Sequence, residues 1–341
     1  MPAEGAAMAE AKSTGAARPA GVAWTALLVQ ALLPIALILL LLGFALVESR
    51  VLSAGNLLNL LVQASYLAIF ASAQMMVIIT RGFDLSLGTC VSAVSVVSAL
   101  AMTGSLAAGG EATGLAIAAG MLFGLGMGAL IGLFNGFAVA WLRVNPFVAT
   151  LGSLNICLGI ATMASDGRPV FNVPREFSAL VYNGSVMGVP MPVVLAVLLL
   201  AVLHFVLNHT VFGRALFLIG GNPTAAAVAG LPSRRYLTLA YVLCSLIAAV
   251  GALMLTGRTG SGEPNLGGNL TLESIAAAVI GGVSLRGGIG GVPSVILGAL
   301  FVTVLSNGMN LTRIDGNVQM IVLGSVIILA VFLDRFRAVA R

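Results

Sequence analysis

The sequence predicts an all-α, polytopic membrane protein of about ten transmembrane helices, with an inverted internal repeat that pairs spans 2–5 with spans 7–10. Three observations carry this. Of 341 residues, 59% are hydrophobic and 8% charged, with a mean hydropathy of +1.10, whereas a soluble domain carries about 25% charged residues. The apolar residues fall into runs near the roughly 20 residues that a bilayer-spanning helix needs. Polar motifs recur in the same order in the two halves of the chain.

Residues 1–23 read as a disordered cytosolic tail, rich in Ala, Gly, Ser and Pro from Met1 to Gly21. The apolar run that follows is too long for a signal-peptide core of about 7–15 residues, so it is expected to stay as the first membrane helix. Spans are placed near 24–47, 57–80, 84–103, 114–142, 146–163, 190–208, 236–257, 271–285, 291–311 and 317–333, within one transmembrane domain over 24–335. Residues 336–341 form a second short cytosolic tail. The eighth span is short and the third starts at a polar turn, which leaves eight or nine full spans as the alternative. With the N-terminus in the cytosol, eleven bases fall on that side: Lys12, Arg18, Arg81, Arg143, Arg214, Arg234, Arg235, Arg286, Arg335, Arg337 and Arg341. Five fall outside: Arg50, Arg168, Arg175, Arg258 and Arg313. The positive-inside rule therefore places both termini in the cytosol.

The repeat rests on four anchors. Asp84-Leu85-Ser86-Leu87 opens span three as Asn269-Leu270-Thr271-Leu272 opens span eight, and Asn135-Gly136 matches Asn307-Gly308. Asn145 and Asn317 each follow ten residues later, and Gly152 and Gly324 seven after that. The half-repeats cover about 56–163 and 236–333. A shift of five spans, an odd number, inverts the second copy, and a solute path is expected between the copies. Gly120, Gly124, Gly128, Gly132 and Gly136 stand four apart on span four and form a smooth stripe for close helix packing.

Catalysis finds no support. Cys90, Cys157 and Cys244 are far apart, without the spacing of a disulfide framework or zinc site. His204 and His209 lack the metal-binding HExxH spacing. No phosphate loop exists, and Lys12 is the only Lys, so ATP hydrolysis through such a loop would have to come from another chain. Neither a cofactor nor a metal is implied, and no basic cluster points to nucleic acid.

Few groups remain for a solute. Asp84 and Glu273 are acidic residues at span starts, where intramembrane charge is expensive and often functional. Asp84, with Ser86 two residues on, either caps a helix or lines the path. Asn59, Gln63 and Gln74 share a helical face, and their amides can serve a polyhydroxy solute or bond neighbouring helices. Asn269 and Thr271, the repeat counterparts of Asp84 and Ser86, and Asn307, the counterpart of Asn135, complete the polar candidates.

The loop between spans six and seven contains Asn222, a candidate N-cap, and Pro223 at the first helical position. A short Ala-rich helix through Thr224, Ala225 and Ala226 should end at Gly230-Leu231-Pro232. From pattern alone it could dock a soluble partner or lie on lipid head groups.

Several stretches in joint order resemble the ribose-type sugar permeases of bacterial ABC importers: Ile78–Gly88, Asn145–Gly152, Gly220–Leu231, Ile275–Gly282, Asn307–Leu311 and Ala330–Asp334. The resemblance covers about Asn56 to Arg335. It implies a permease pair in the bacterial inner membrane, ABC ATPase subunits beneath it and a periplasmic sugar-binding protein above. It also implies that Asn222–Leu231 is the helix that couples to the ATPase, with Ala225, Ala226 and Gly230 expected against that partner. The chain departs from the family pattern at Thr224, where Glu is usual, and at Ala227, Thr271 and Asn145, where Arg, Glu and Pro are common. Rival readings are a branched-chain amino acid or nucleoside importer, and a secondary transporter, which the near absence of buried charge disfavours.

Overall fold

The computed structural model describes residues 20–107 and 113–337, with side chains over 32–107 and 113–332. Most of the expected N-terminal tail and the last four residues lie outside the described residues. Thirteen α-helices follow in order among them, besides a short 3-10 turn at Ser49–Leu52 and a π turn at Ala179–Asn183. They are α1 (Ala20–Val47), α2 (Ala54–Ile78), α3 (Leu87–Ala107), α4 (Thr113–Ala140), α5 (Pro146–Ala164) and the short α6 (Arg175–Ser178). Then come α7 (Met191–His209), α8 (Val211–Gly221), α9 (Pro223–Val228), α10 (Ser233–Thr259), α11 (Leu270–Ile280), α12 (Val292–Leu311) and α13 (Gly316–Arg337). Between α6 and α7 a two-stranded hairpin pairs β1 (Ser185–Val186) with β2 (Val189–Pro190).

Seven helices, α2, α3, α4, α5, α7, α10 and α12, are long and apolar enough among the described residues to cross a membrane. The parts of α1 and α13 with described side chains, Leu32–Val47 and Gly316–Phe332, are also apolar but shorter. The eighth expected span, 271–285, is corrected: α11 ends at Ile280 and its 11 residues rise only about 16 Å, half a bilayer core. Gly281 and Gly282 stop it, the latter with a φ of 92° that a side chain resists. The third span begins at Leu87 rather than at residue 84, because residues 84–86 turn around the Asp84 carboxylate.

Burial explains the layering. From Ala64 to Ile78 every residue of α2 is buried, and so is most of α10 from Ala240 to Gly257. These two helices pack on each other at the centre. Helix α4 lies along α10, and α12 lies along α2. Helix α3 packs on α4, α5 and α10, and α11 packs on α12, α13 and α2. Leu122, Phe123 and Leu130 of α4, Val197 and Val202 of α7, and Ile321 and Ile328 of α13 remain exposed. Such an apolar outer surface is stable against lipid or another membrane chain and not in water.

The glycine stripe of α4 sets its distance from α10. A Cβ on Gly132 would meet the Val242 Cα at 2.6 Å, and one on Gly136 the Thr238 Cα at 2.8 Å. Higher up, Gly120 faces Met102 and Ser98 of α3 instead, and Gly124 faces both neighbours.

Candidate functional site

Two interrupted segments build the site. After α2 the chain leaves helical geometry through residues 79–86 before α3 begins. Asp84 is buried and its Oδ1 accepts from the Ser86 N–H at 2.9 Å and the Ser86 Oγ–H at 2.5 Å. Its backbone N–H and C=O pair with the Gln74 amide at 3.2 Å each, in the amide orientation that satisfies both. The Asn135 Nδ2 donates to Ser86 Oγ at 2.9 Å, while its own Oδ1 is buried without a donor. Asp84 thus bonds the residue just ahead of α3 and holds the turn that starts it. It faces the protein interior, together with Gln74 and Ser86.

The second segment, residues 260–269, ends at the first turn of α11. The Gly88 N–H donates to Thr271 Oγ1 at 2.8 Å, and the Thr271 Oγ1–H donates to the Leu85 C=O at 3.3 Å. A Cβ on Gly267 would overlap the Gly88 carbonyl, so the two chains touch backbone to backbone. Ser92 Oγ accepts from the Gly267 N–H at 3.0 Å, and Ser95 Oγ accepts from the Glu263 N–H at 3.1 Å and from Thr256 at 2.8 Å. Sequence reasoning missed Ser92, Ser95 and Thr256. The three-residue spacing of Ser92, Ser95 and Ser98 on an apolar helix was the available signal. The open side of this junction carries the exposed Asn265, Asn269 and Leu272 and the half-buried Thr271 and Glu273. Among the described residues, the one ion pair, Glu48–Arg50, lies elsewhere.

The remaining sequence candidates lie apart. Asn307 and Asn56 exchange two amide hydrogen bonds, at 3.0 and 3.1 Å, and lock α12 to the start of α2. Asn59 is exposed and Gln63 half-buried. Although they share a face with Gln74, Asn59 stands about 22 Å from it along the axis, so the three do not form one site. A cavity of about 370 Å³ between α2, α7 and α12 is lined by Leu61, Ala64, Val193, Leu200, His204 and Ile296 and includes none of the candidates. Its apolar walls do not suit a polar solute.

Helix α9 sits on the face where α2 ends. Asn222 caps it, with Oδ1 accepting from the Ala225 N–H at 2.9 Å, and Gly230 turns the chain away with a φ of 72°. Val228 is 86% exposed, and Thr224, Ala225, Ala227 and Gly230 are exposed beside it. Ala226 is corrected: it is fully buried within this chain and is not free to meet a partner.

A family model described as "Branched-chain amino acid transport system / permease component" matches residues 56–331, from the first turn of α2 into the second half of α13. The chain belongs to this permease family. The permease is 33% identical over 281 residues to the ribose import permease protein RbsC of Bacillus subtilis (strain 168), covering 82% of this chain and 84% of that protein. It is 34% identical over 303 residues to RbsC of Escherichia coli (strain K12), with 88% and 92% covered. It is also 34% identical over 313 residues to the galactose/methyl galactoside import permease protein MglC of Haemophilus influenzae, with 88% and 92% covered. No solved structure matches the permease. Subunits of this family are multi-pass membrane proteins and not enzymes; the partner ATPase hydrolyses ATP.

Proposed function

We propose that the permease forms the membrane path of a bacterial ABC importer for a monosaccharide, delivered by a periplasmic binding protein and driven by a separate ATPase. The observation that carries this reading is the junction at Gly88 and Thr271. The start of the full-length α3 and the start of the half-length α11 meet there among hydroxyls and amides, and among the described residues no ion pair lies nearby. Neutral donors and acceptors can exchange hydrogen bonds with a polyhydroxy solute without trapping it. Relatives at 33–34% identity include the ribose and the galactose/methyl galactoside import permeases, which favours a sugar over the branched-chain amino acids of the family description. An amino acid would also need its carboxylate and ammonium matched.

The inverted repeat is part of the same reading. Exchanging α2 with α10, α3 with α11, α4 with α12 and α5 with α13 maps the helix contacts onto one another. The α2–α12 contact becomes α10–α4, and α3–α5 becomes α11–α13. The two copies of the anchor motif also touch, through Leu85 and Thr271. Asn307 departs from the symmetry, since it pairs with Asn56 whereas Asn135 bonds Ser86. In this reading both termini and α9 are cytosolic, α9 docks on the ATPase, and Asn265, Asn269, Thr271 and Glu273 line the path beside a second permease copy.

The solute class is tested through the partner binding protein, by measuring its thermal stabilisation with a panel of pentoses, hexoses, nucleosides and branched-chain amino acids. A shift of several degrees is expected with a monosaccharide. A shift with leucine or a nucleoside alone would overturn the sugar reading.

A further inference from the structure

Arg81, just past the end of α2, takes no part in the junction described above, yet its geometry is unusual. Its φ is 66°, in the left-handed region that glycine adopts freely and other residues seldom do. The side chain reaches across to the end of α8, where Nε donates to the Gly220 C=O at 2.6 Å and Nη2 to the Gly221 C=O at 2.8 Å. Those carbonyls stand immediately before Asn222, the cap of α9.

Three segments meet at this point. A Cβ on Gly220 would overlap the Ile79 carbonyl, so α8 presses on the end of α2. The Gly288 N–H donates to the same Ile79 carbonyl at 2.8 Å, and Gly288 packs against the Gly221 backbone. Gly288 belongs to the turn that links α11 to α12, and Arg81 stands three residues before Asp84. The end of α8, and α9 beyond it, is therefore joined to the loops next to α3 and α11, the two helices that form the junction.

We propose that Arg81 is a positioning residue that carries the displacement of α9 into residues 82–86 and hence into the first turn of α3. This rests on the reading of α9 as the ATPase contact. A backbone-to-backbone contact such as Gly220 on Ile79 transmits a push but not a pull. The forked guanidinium, bonded to two successive carbonyls, supplies the pull. The left-handed backbone of Arg81 is the kind of local strain that persists where the surroundings hold a residue in place for function.

The test uses the permease complexed with its ATPase and binding protein in proteoliposomes. Cys90, Cys157 and Cys244 are buried, so a nitroxide can be placed selectively at Ala229→Cys beside α9 or at Asn269→Cys at the junction. In the unsubstituted complex, trapping with ATP and vanadate should change both spectra. Arg81→Gly removes the staple while relieving the left-handed backbone, so a loss in this variant cannot come from strain. It should retain the ATPase and the Ala229 response but lose at least half of the Asn269 response, with Arg81→Lys intermediate. An undiminished Asn269 response in Arg81→Gly would overturn the proposal. So would loss of the ATPase, which would make Arg81 an assembly residue. An Ala229 label that never responds would instead refute the reading of α9, and this proposal with it.

Discussion

Gly88 and Thr271, 183 residues apart in sequence, are joined by a 2.8 Å hydrogen bond from the backbone of α3 to the hydroxyl on α11. The bond fixes the starts of α3 and α11 relative to each other, and its loss leaves a backbone N–H unpaired in a partly buried place. Such an orphan costs about 1–3 kcal/mol. Thr271→Val keeps the shape and removes the hydroxyl, and uptake should fall several-fold with little change in membrane insertion. Thr271→Ser should keep most of the activity. Equal uptake by Val and Ser variants would mean that the junction does not depend on this bond.

Packing on the α4 stripe gives a second prediction, with a built-in control. Gly132→Leu would drive a side chain into the Val242 Cα and the Tyr241 carbonyl, 2.6 and 2.7 Å from the new Cβ. Overpacking of this kind costs about 1–3 kcal/mol or more, so the melting temperature in detergent should drop by several degrees. Gly126 lies on the same helix with nothing within 4 Å of its Cβ, and Gly126→Leu should melt near the wild type. The same melting temperature for both variants would contradict the packing described for α4 and α10.

The surface of α9 offers a third prediction. Val228 is the large apolar side chain that α9 leaves exposed. Val228→Glu should insert normally but lose its ATPase in detergent, because an unpaired charge buried in a contact costs about 3–5 kcal/mol. Val228→Cys should label with an impermeant thiol reagent from the side opposite to Met187→Cys, on the fully exposed tip between β1 and β2. Full ATPase retention by the Glu variant, or labelling of both cysteines from one side, would sink the placement of α9.

The sequence made the helical membrane fold legible, as well as the two polar anchors, the α9 cap at Asn222 and the register of the glycine stripe. Each is a local pattern: an apolar run, a capping residue or a four-residue spacing. The full number of spans was not legible, because α11 continues an apolar pattern that only Gly281 and Gly282 interrupt. Helix α8 was hidden in a stretch read as loop. The inward face of α9 was unreadable because Ala225, Ala226 and Ala227 give a helix no amphipathic contrast. Arg81 gave no signal, since its partners Gly220 and Gly221 lie 139 and 140 residues away.

Reconstituted transport tests the central claim most directly. The permease is placed in proteoliposomes with its ATPase and binding protein, and uptake of labelled monosaccharides and of leucine is followed with and without ATP inside. Accumulation of at least one monosaccharide is expected only when all three proteins and ATP are present. Leucine should not accumulate. Uptake by the permease alone under a proton or sodium gradient, or ATP-driven uptake of leucine and of no sugar, would contradict it.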